Sequence, residues 1–148
     1  MSPDHTFSLK KYFSPGQQAS SVKQITESDV VAFANISGDT QSIHMDPKYG
    51  LKTRFGKQIA HGTILVGLIS AVLGNEMGHP EYTVIFLGTK VNFTNPVFLG
   101  DEIKAICTVK TIRPDKPIVT LDCTCINQSG QEVLNGEAVV YIDPYPKT

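Results

Sequence analysis

The chain contains no tryptophan, three cysteines and two arginines, Arg54 and Arg113. An odd cysteine count argues against a disulfide framework, and no histidine or further cysteine completes four metal ligands around the Cys-Thr-Cys at Cys123 and Cys125. In a strand those two thiols point to one face, so both are read, with Cys107, as buried small hydrophobes. The scarcity of arginine and a net charge of -1, from 13 basic and 14 acidic side chains, argue against a nucleic-acid surface. No apolar run reaches the roughly 18 residues needed to cross a bilayer, so no membrane partner is expected. The opening MSPDHTFSLKKYFSPG lacks the hydrophobic stretch of a secretory signal. A cytoplasmic location follows as the expectation, or the mitochondrial matrix had a transit peptide been removed, and the Asn-x-Ser/Thr matches at Asn92 and Asn127 then count as chance.

What remains is an ordinary globular composition: 148 residues, 41% apolar, 18% charged, nine prolines. That length suits one domain, which buries about 68 to 70% of its unfolded surface. Without a repeat, linker or break in composition, one domain over 1–148 is expected.

Local signals divide the chain. TESDVVAFANISGD offers Thr26 as N-cap, an apolar stripe through Val30, Val31, Phe33 and Ala34, and Ser37-Gly38 as a stop, predicting a helix over about 27–36. Asp46-Pro47 starts a second helix. Asp39 and His44 therefore fall on the connector, in the stretch SGDTQSIHMDP. Further on, HGTILVGLISAVLGNEMG is apolar on nearly every side, which predicts a buried helix of about sixteen residues at the centre of the domain. The second half reads as five strands, TVIFLG, KVNFTNPVF, DEIKAICTVKTI, KPIVTLDCTCI and EVLNGEAVVYI, separated by turn-rich segments. In the third and fourth, Ile103, Ala105, Cys107, Val109 and Val119, Leu121, Cys123, Cys125 alternate with polar residues, giving each strand one apolar face. The fold class expected is α+β, an antiparallel sheet of about five strands wrapped around a long apolar central helix.

A carboxylate and an imidazole can hold one water between them and move protons near neutral pH, so Asp39 and His44 are the candidate acid–base pair. The wider string SGDTQSIHMDPKYGLKTRFGKQIAHGTILVGLIS resembles the hydratase motif of the MaoC-like, (R)-specific enoyl-CoA hydratases. It carries the Asp-x4-His pair, the following x-Asp-Pro, the Thr-x-Phe at Thr53 and Phe55, and the Ile-Ala-His-Gly entry to the central helix. VNFTNPVFLGDEI and GEAVVYI extend the likeness over roughly residues 20–142.

The resemblance implies a hot dog fold and hydration of a trans-2-enoyl thioester to the (R)-3-hydroxyacyl thioester, or the reverse dehydration. It implies Asp39 and His44 as the catalytic pair and Gly62 as the backbone N–H donor to the thioester oxygen. It further implies Ser70 near the catalytic acid in the substrate site, whose hydroxyl bonds either Asp39 or its own helix carbonyl. No metal or redox cofactor is implied. The substrate would be carried on coenzyme A or on acyl carrier protein, and two copies of the domain would pair as a homodimer.

His61 is expected to have a structural role, packing and hydrogen-bonding at the helix entry, and His5 and His79 to be solvated. Ile64, Leu65, Leu68 and Val72 are read as core before acyl-tunnel lining, and Lys52, Arg54 and Lys57 as a charged helix end before phosphate contacts. Family members often carry Asn-Pro between the paired residues, where this chain has Gln41-Ser42. Losing the proline predicts a looser connector. A hot dog thioesterase and a non-catalytic acyl-thioester-binding module are the rival readings.

Overall fold

The computed structural model describes residues 8–145 of the chain, so His5 lies outside the described residues. The helix signals act as their chemistry dictates. The Asp29 N–H donates to the Thr26 hydroxyl while the Thr26 N–H donates to the Asp29 carboxylate, a reciprocal cap that starts α1 (Glu27–Ser37). Gly38, at φ 79°, ends it in the left-handed conformation. The connector that follows is more ordered than expected. It contains one helical turn, α2 (Ser42–Met45), which bears His44. Asp46 then caps α3 (Pro47–Lys52) by accepting from the Lys48 N–H, with Pro47 where a missing donor costs nothing.

Five antiparallel strands form one sheet: β1 (Gln18–Gln24), β2 (Tyr82–Phe93), β3 (Glu102–Ile112), β4 (Ile118–Ile126) and β5 (Glu132–Pro144), in the order β1-β3-β4-β5-β2. Two members differ from the sequence reading. TVIFLG and KVNFTNPVF are one strand, β2, because Gly88 marks a bulge, with a register shift between Phe86 and Gly88, rather than a break. The fifth strand, β1, lies ahead of α1, where the sequence reading placed no element. QASSVKQ is an edge strand exposed along most of its length, so no apolar alternation marks it. Its backbone pairs with β3 from Gln18 opposite Thr108 to Gln24 opposite Glu102.

The alternation in β3 and β4 does set the inner face. Ile103, Ala105, Cys107, Val109, Val119, Leu121, Cys123 and Cys125 are all buried. Cys107 and Cys123 sit directly opposite, with sulfurs 3.8 Å apart, and all three cysteines are free thiols. Burial pushes the Cys125 thiol up to about 12, which keeps it an inert core group.

Onto this face packs α4 (Ile64–Ala71), burying Leu65 and Ile69; the chain continues through one π-helical turn, Val72–Glu76, which buries Val72 and Leu73. This central helix is shorter than the sixteen residues expected, and it is not covered all round. Gly67, Ser70 and Ala71 are exposed, because one sheet covers only one flank of a helix. Among the described residues, no helix is long and apolar enough to cross a membrane.

Candidate active site

The α1–α3 connector is fastened to the stretch that leads into α4. Ala60 N–H donates to Val97 C=O at 2.7 Å and Ile59 bridges Phe98, so residues 59 and 60 are tied to the turn before β3. That turn is braced by Asp101, which accepts from Phe98 N–H and from the Gln128 side chain. The tethered stretch then grips His44 twice. Gln58 Nε2 donates to His44 C=O, and His44 Nδ1 donates to Ile59 C=O, each at 2.8 Å. A carbonyl can only accept, so Nδ1 carries a proton and Nε2 is the face that a neutral ring offers as base. The ring is buried, with a side-chain exposure of 10%.

Nε2 stands 3.9 Å from Asp39 Oδ2. That is too long for a direct hydrogen bond and suited to one water touching both atoms. Asp39 is partly exposed, and its carboxyl is held below the ordinary carboxylate range. The Gln41 backbone N–H is the largest cause; the Gln41 side-chain amide, His44 and His61 act in the same sense, against a partial desolvation that raises it. Both Gln41 donors meet Asp39 Oδ1 at 3.3 Å. In place of the family's Asn-Pro, Gln41 closes a turn onto the acid, and Ser42 opens the α2 turn.

The sign of a test follows. A depressed pKa keeps Asp39 ionised to lower pH, and removing the Gln41 amide raises it. In Gln41→Ala the NMR titration midpoint of the Asp39 carboxyl is expected to move up without reaching the ordinary value of about 3.9, because the backbone N–H remains.

Gly62 lies just ahead of α4, two residues before its first helical position rather than within it. Among the described residues its N–H meets no backbone or side-chain acceptor. A Cβ here would come within 3.1 Å of the Phe93 ring, so the bare α-carbon leaves room between that ring and the helix entry. Phe93, half-exposed at the end of β2, flanks Gly62, a neighbour that the sequence did not reveal.

Ser70 is exposed on α4 and among the described residues makes no hydrogen bond to Asp39, whose carboxylate accepts from Gln41 instead. Leu65 and Val72 are core, and Ile64 and Leu68 are half-buried against it. Lys52, Arg54 and Lys57 are exposed, with Arg54 over the Phe55 ring and Lys57 over Phe98. His79 is exposed and stacks on Tyr82.

His61 is the residue whose part the sequence understated. Only 2% exposed, it donates through Nε2 to the Asp39 backbone carbonyl at 2.8 Å. Its ring stacks on His44, with centroids 4.0 Å apart and planes 28° apart, and the Phe33 ring tilts against it with centroids 4.8 Å apart. Asp39, His44 and His61 offer donor atoms within 4.8 Å of one another. A metal ion must lie in the plane of each imidazole that binds it, and two rings stacked face to face do not meet that demand together. The arrangement suits proton handling.

An antiparallel sheet packed on one apolar helix defines a hot dog protein, and a carboxylate–imidazole pair stands at its helix entry. Residues 13–124 match the family model described as "MaoC like domain", and the chain belongs to that family. The (R)-specific enoyl-CoA hydratase of Aeromonas caviae is 40% identical over 125 residues, covering 84% of this chain and 92% of that protein. The enzyme of the same name from Rhodospirillum rubrum is 40% identical over 127 residues, 86% of each chain. The structure of the A. caviae (R)-hydratase involved in PHA biosynthesis superposes with a TM-score of 0.82 at 38% identity, covering 87% of this chain and 96% of that one. R-hydratase PhaJ1 of Pseudomonas aeruginosa gives 0.82 at 36% identity, covering 92% of this chain and 85% of that one.

Proposed function

We propose that this protein is a hydro-lyase that adds water to trans-2-enoyl-CoA, giving the (R)-3-hydroxyacyl-CoA, and catalyses the reverse dehydration. The observation that carries the reading is the 3.9 Å gap between Asp39 Oδ2 and an Nε2 left free because Nδ1 is committed to Ile59. In hydration, the water held between them attacks C3. Its proton passes to the Asp39–His44 pair as the C3–O bond forms, and the alkene electrons move through C2 onto the thioester oxygen. The Gly62 N–H meets the charge developing on that oxygen, a contact of a kind worth about 3 to 4 kcal/mol to a transition state. Collapse of the enolate takes a proton at C2 from the pair, so atoms and charge balance. Ser70 belongs on the substrate side of α4 in this scheme.

The relatives' names support coenzyme A as the carrier over acyl carrier protein. The whole chain would act as one hot dog domain, in a cytoplasmic setting. A homodimer is favoured by β2, whose edge exposes Ile85 and Leu87, and by the uncovered Gly67 and Ala71 of α4.

Crotonyl-CoA is the test substrate. The conjugated-enoyl absorbance should disappear without release of free thiol, the product should be the (R)-alcohol, and the same sample should sediment as a dimer at micromolar concentration. Thiol release would make it a thioesterase, an unchanged spectrum a binding module, and an (S) product would overturn the assignment.

A further inference from the structure

Beyond the acid, the base and the oxyanion donor, we infer that His61 is a positioning residue which fixes the catalytic carboxylate relative to the oxyanion hole. The inference rests on the assignment of Asp39 and His44 as the reacting pair.

Three observations on one side chain carry it. Its Nε2 donates to the backbone carbonyl of Asp39 itself, 22 residues away in sequence. The bond therefore fixes the peptide plane on the C-terminal side of the acid, and Gln41 fixes its carboxylate from the other end. The ring also lies against the His44 imidazole. One side chain thus touches the backbone of the acid and the face of the base.

The third observation is what this position tolerates. Among the described residues, His61 Nδ1 is buried and meets no hydrogen-bond partner. With Nε2–H committed to a carbonyl, Nδ1 is the bare acceptor of a neutral ring, and protonating it would bury an N–H with no acceptor. A half-satisfied imidazole at a core position is a cost that an apolar ring of the same shape would avoid. The bond from Nε2 to Asp39 is what the imidazole supplies and such a ring would not.

Position in the chain completes the argument. The peptide bond that His61 makes with Gly62 bears the N–H assigned to the oxyanion. The side chain of His61 holds the acid while its own peptide group presents the donor, so a single residue sets the separation between the two groups that act on opposite ends of the enoyl unit. Catalytic geometry is sensitive at this scale: an error of about 1 Å can cost on the order of 100-fold.

Substitutions at His61 separate this role from simple packing. Glutamine places its amide nitrogen near the Nε2 position, asparagine places it a methylene short, and phenylalanine keeps the stack on His44 without a donor. On crotonyl-CoA, His61→Phe and His61→Asn are each expected to lose about 100-fold in kcat, with KM within about threefold of wild type because substrate contacts persist. His61→Gln should recover to within about tenfold of wild type. Circular dichroism at the assay temperature reports the folded fraction, to which each kcat is normalised. Wild-type kcat in His61→Phe, or equal losses in His61→Gln and His61→Asn, would overturn the inference. Asp39→Asn and His44→Ala run in parallel: if they keep activity, the pair itself is misassigned, whereas if they lose it while His61→Phe does not, only the role of His61 fails.

Discussion

Asp39→Asn is expected to lower kcat for crotonyl-CoA hydration by about 10² to 10⁴, the range over which a positioned proton acceptor contributes. The substitution is close to isosteric. An amide oxygen still accepts from the Gln41 N–H, so the turn that holds position 39 survives, while the group able to take a proton from water is gone. KM should change little, since the lost interaction belongs to the transition state. Thermal stability should move by no more than about 2 °C, as for a partly exposed site whose backbone bonds are unchanged. Wild-type turnover in this variant would remove Asp39 from the mechanism; a large fall in Tm would instead place its carboxylate in the structure rather than the chemistry.

The second large effect concerns stability. Gly136 lies in β5, between β4 and β2, paired with Cys123 on one side and Val91 on the other. A Cβ there would come within 2.1 Å of Lys90 C=O and 2.7 Å of the Val91 α-carbon. Both are backbone atoms of the neighbouring strand and cannot turn aside as a side-chain tip can. Gly136→Ala is expected to cost about 3 kcal/mol or more, through strand separation rather than backbone strain. A fall in Tm of about 6 to 12 °C in a thermal melt would follow, and a melt within 2 °C of wild type would show that β2 yields freely.

Much of the site was legible because its signals are local. Thr26, Asp29 and Gly38 bound one helix, Asp46 and Pro47 start another, and those neighbours place Asp39 and His44 between them with no knowledge of the rest of the chain. The strand alternation in β3 and β4 was legible for the same reason, as each residue's face depends only on its parity.

What escaped depends on contacts distant in sequence. β1 is polar, and only its ladder to β3 makes it a strand. Gly88 reads equally as a turn or as a bulge until the β5 register decides. A structural, hydrogen-bonding role for His61 could be read but its partner could not, because that partner is a backbone carbonyl, and carbonyls leave no trace in residue identity. Gln41 is an intermediate case. That Gln41-Ser42 replaces the family's Asn-Pro was visible, but the two bonds that Gln41 returns to Asp39 were not.

The sheet order also bears on synthesis at the ribosome. β1 is made near the start of the chain, yet the β3 residues it pairs with come about 80 to 90 positions later. At about 5 to 20 residues per second, it waits roughly 4 to 18 seconds for a partner to be made. Gln18, Ser20, Ser21, Lys23 and Gln24 make that delay safe, because a nascent strand with this little apolar surface is a poor template for another unfinished chain. The composition that hid the strand from a pattern reading is the one that lets the earliest strand endure the longest wait for its partner.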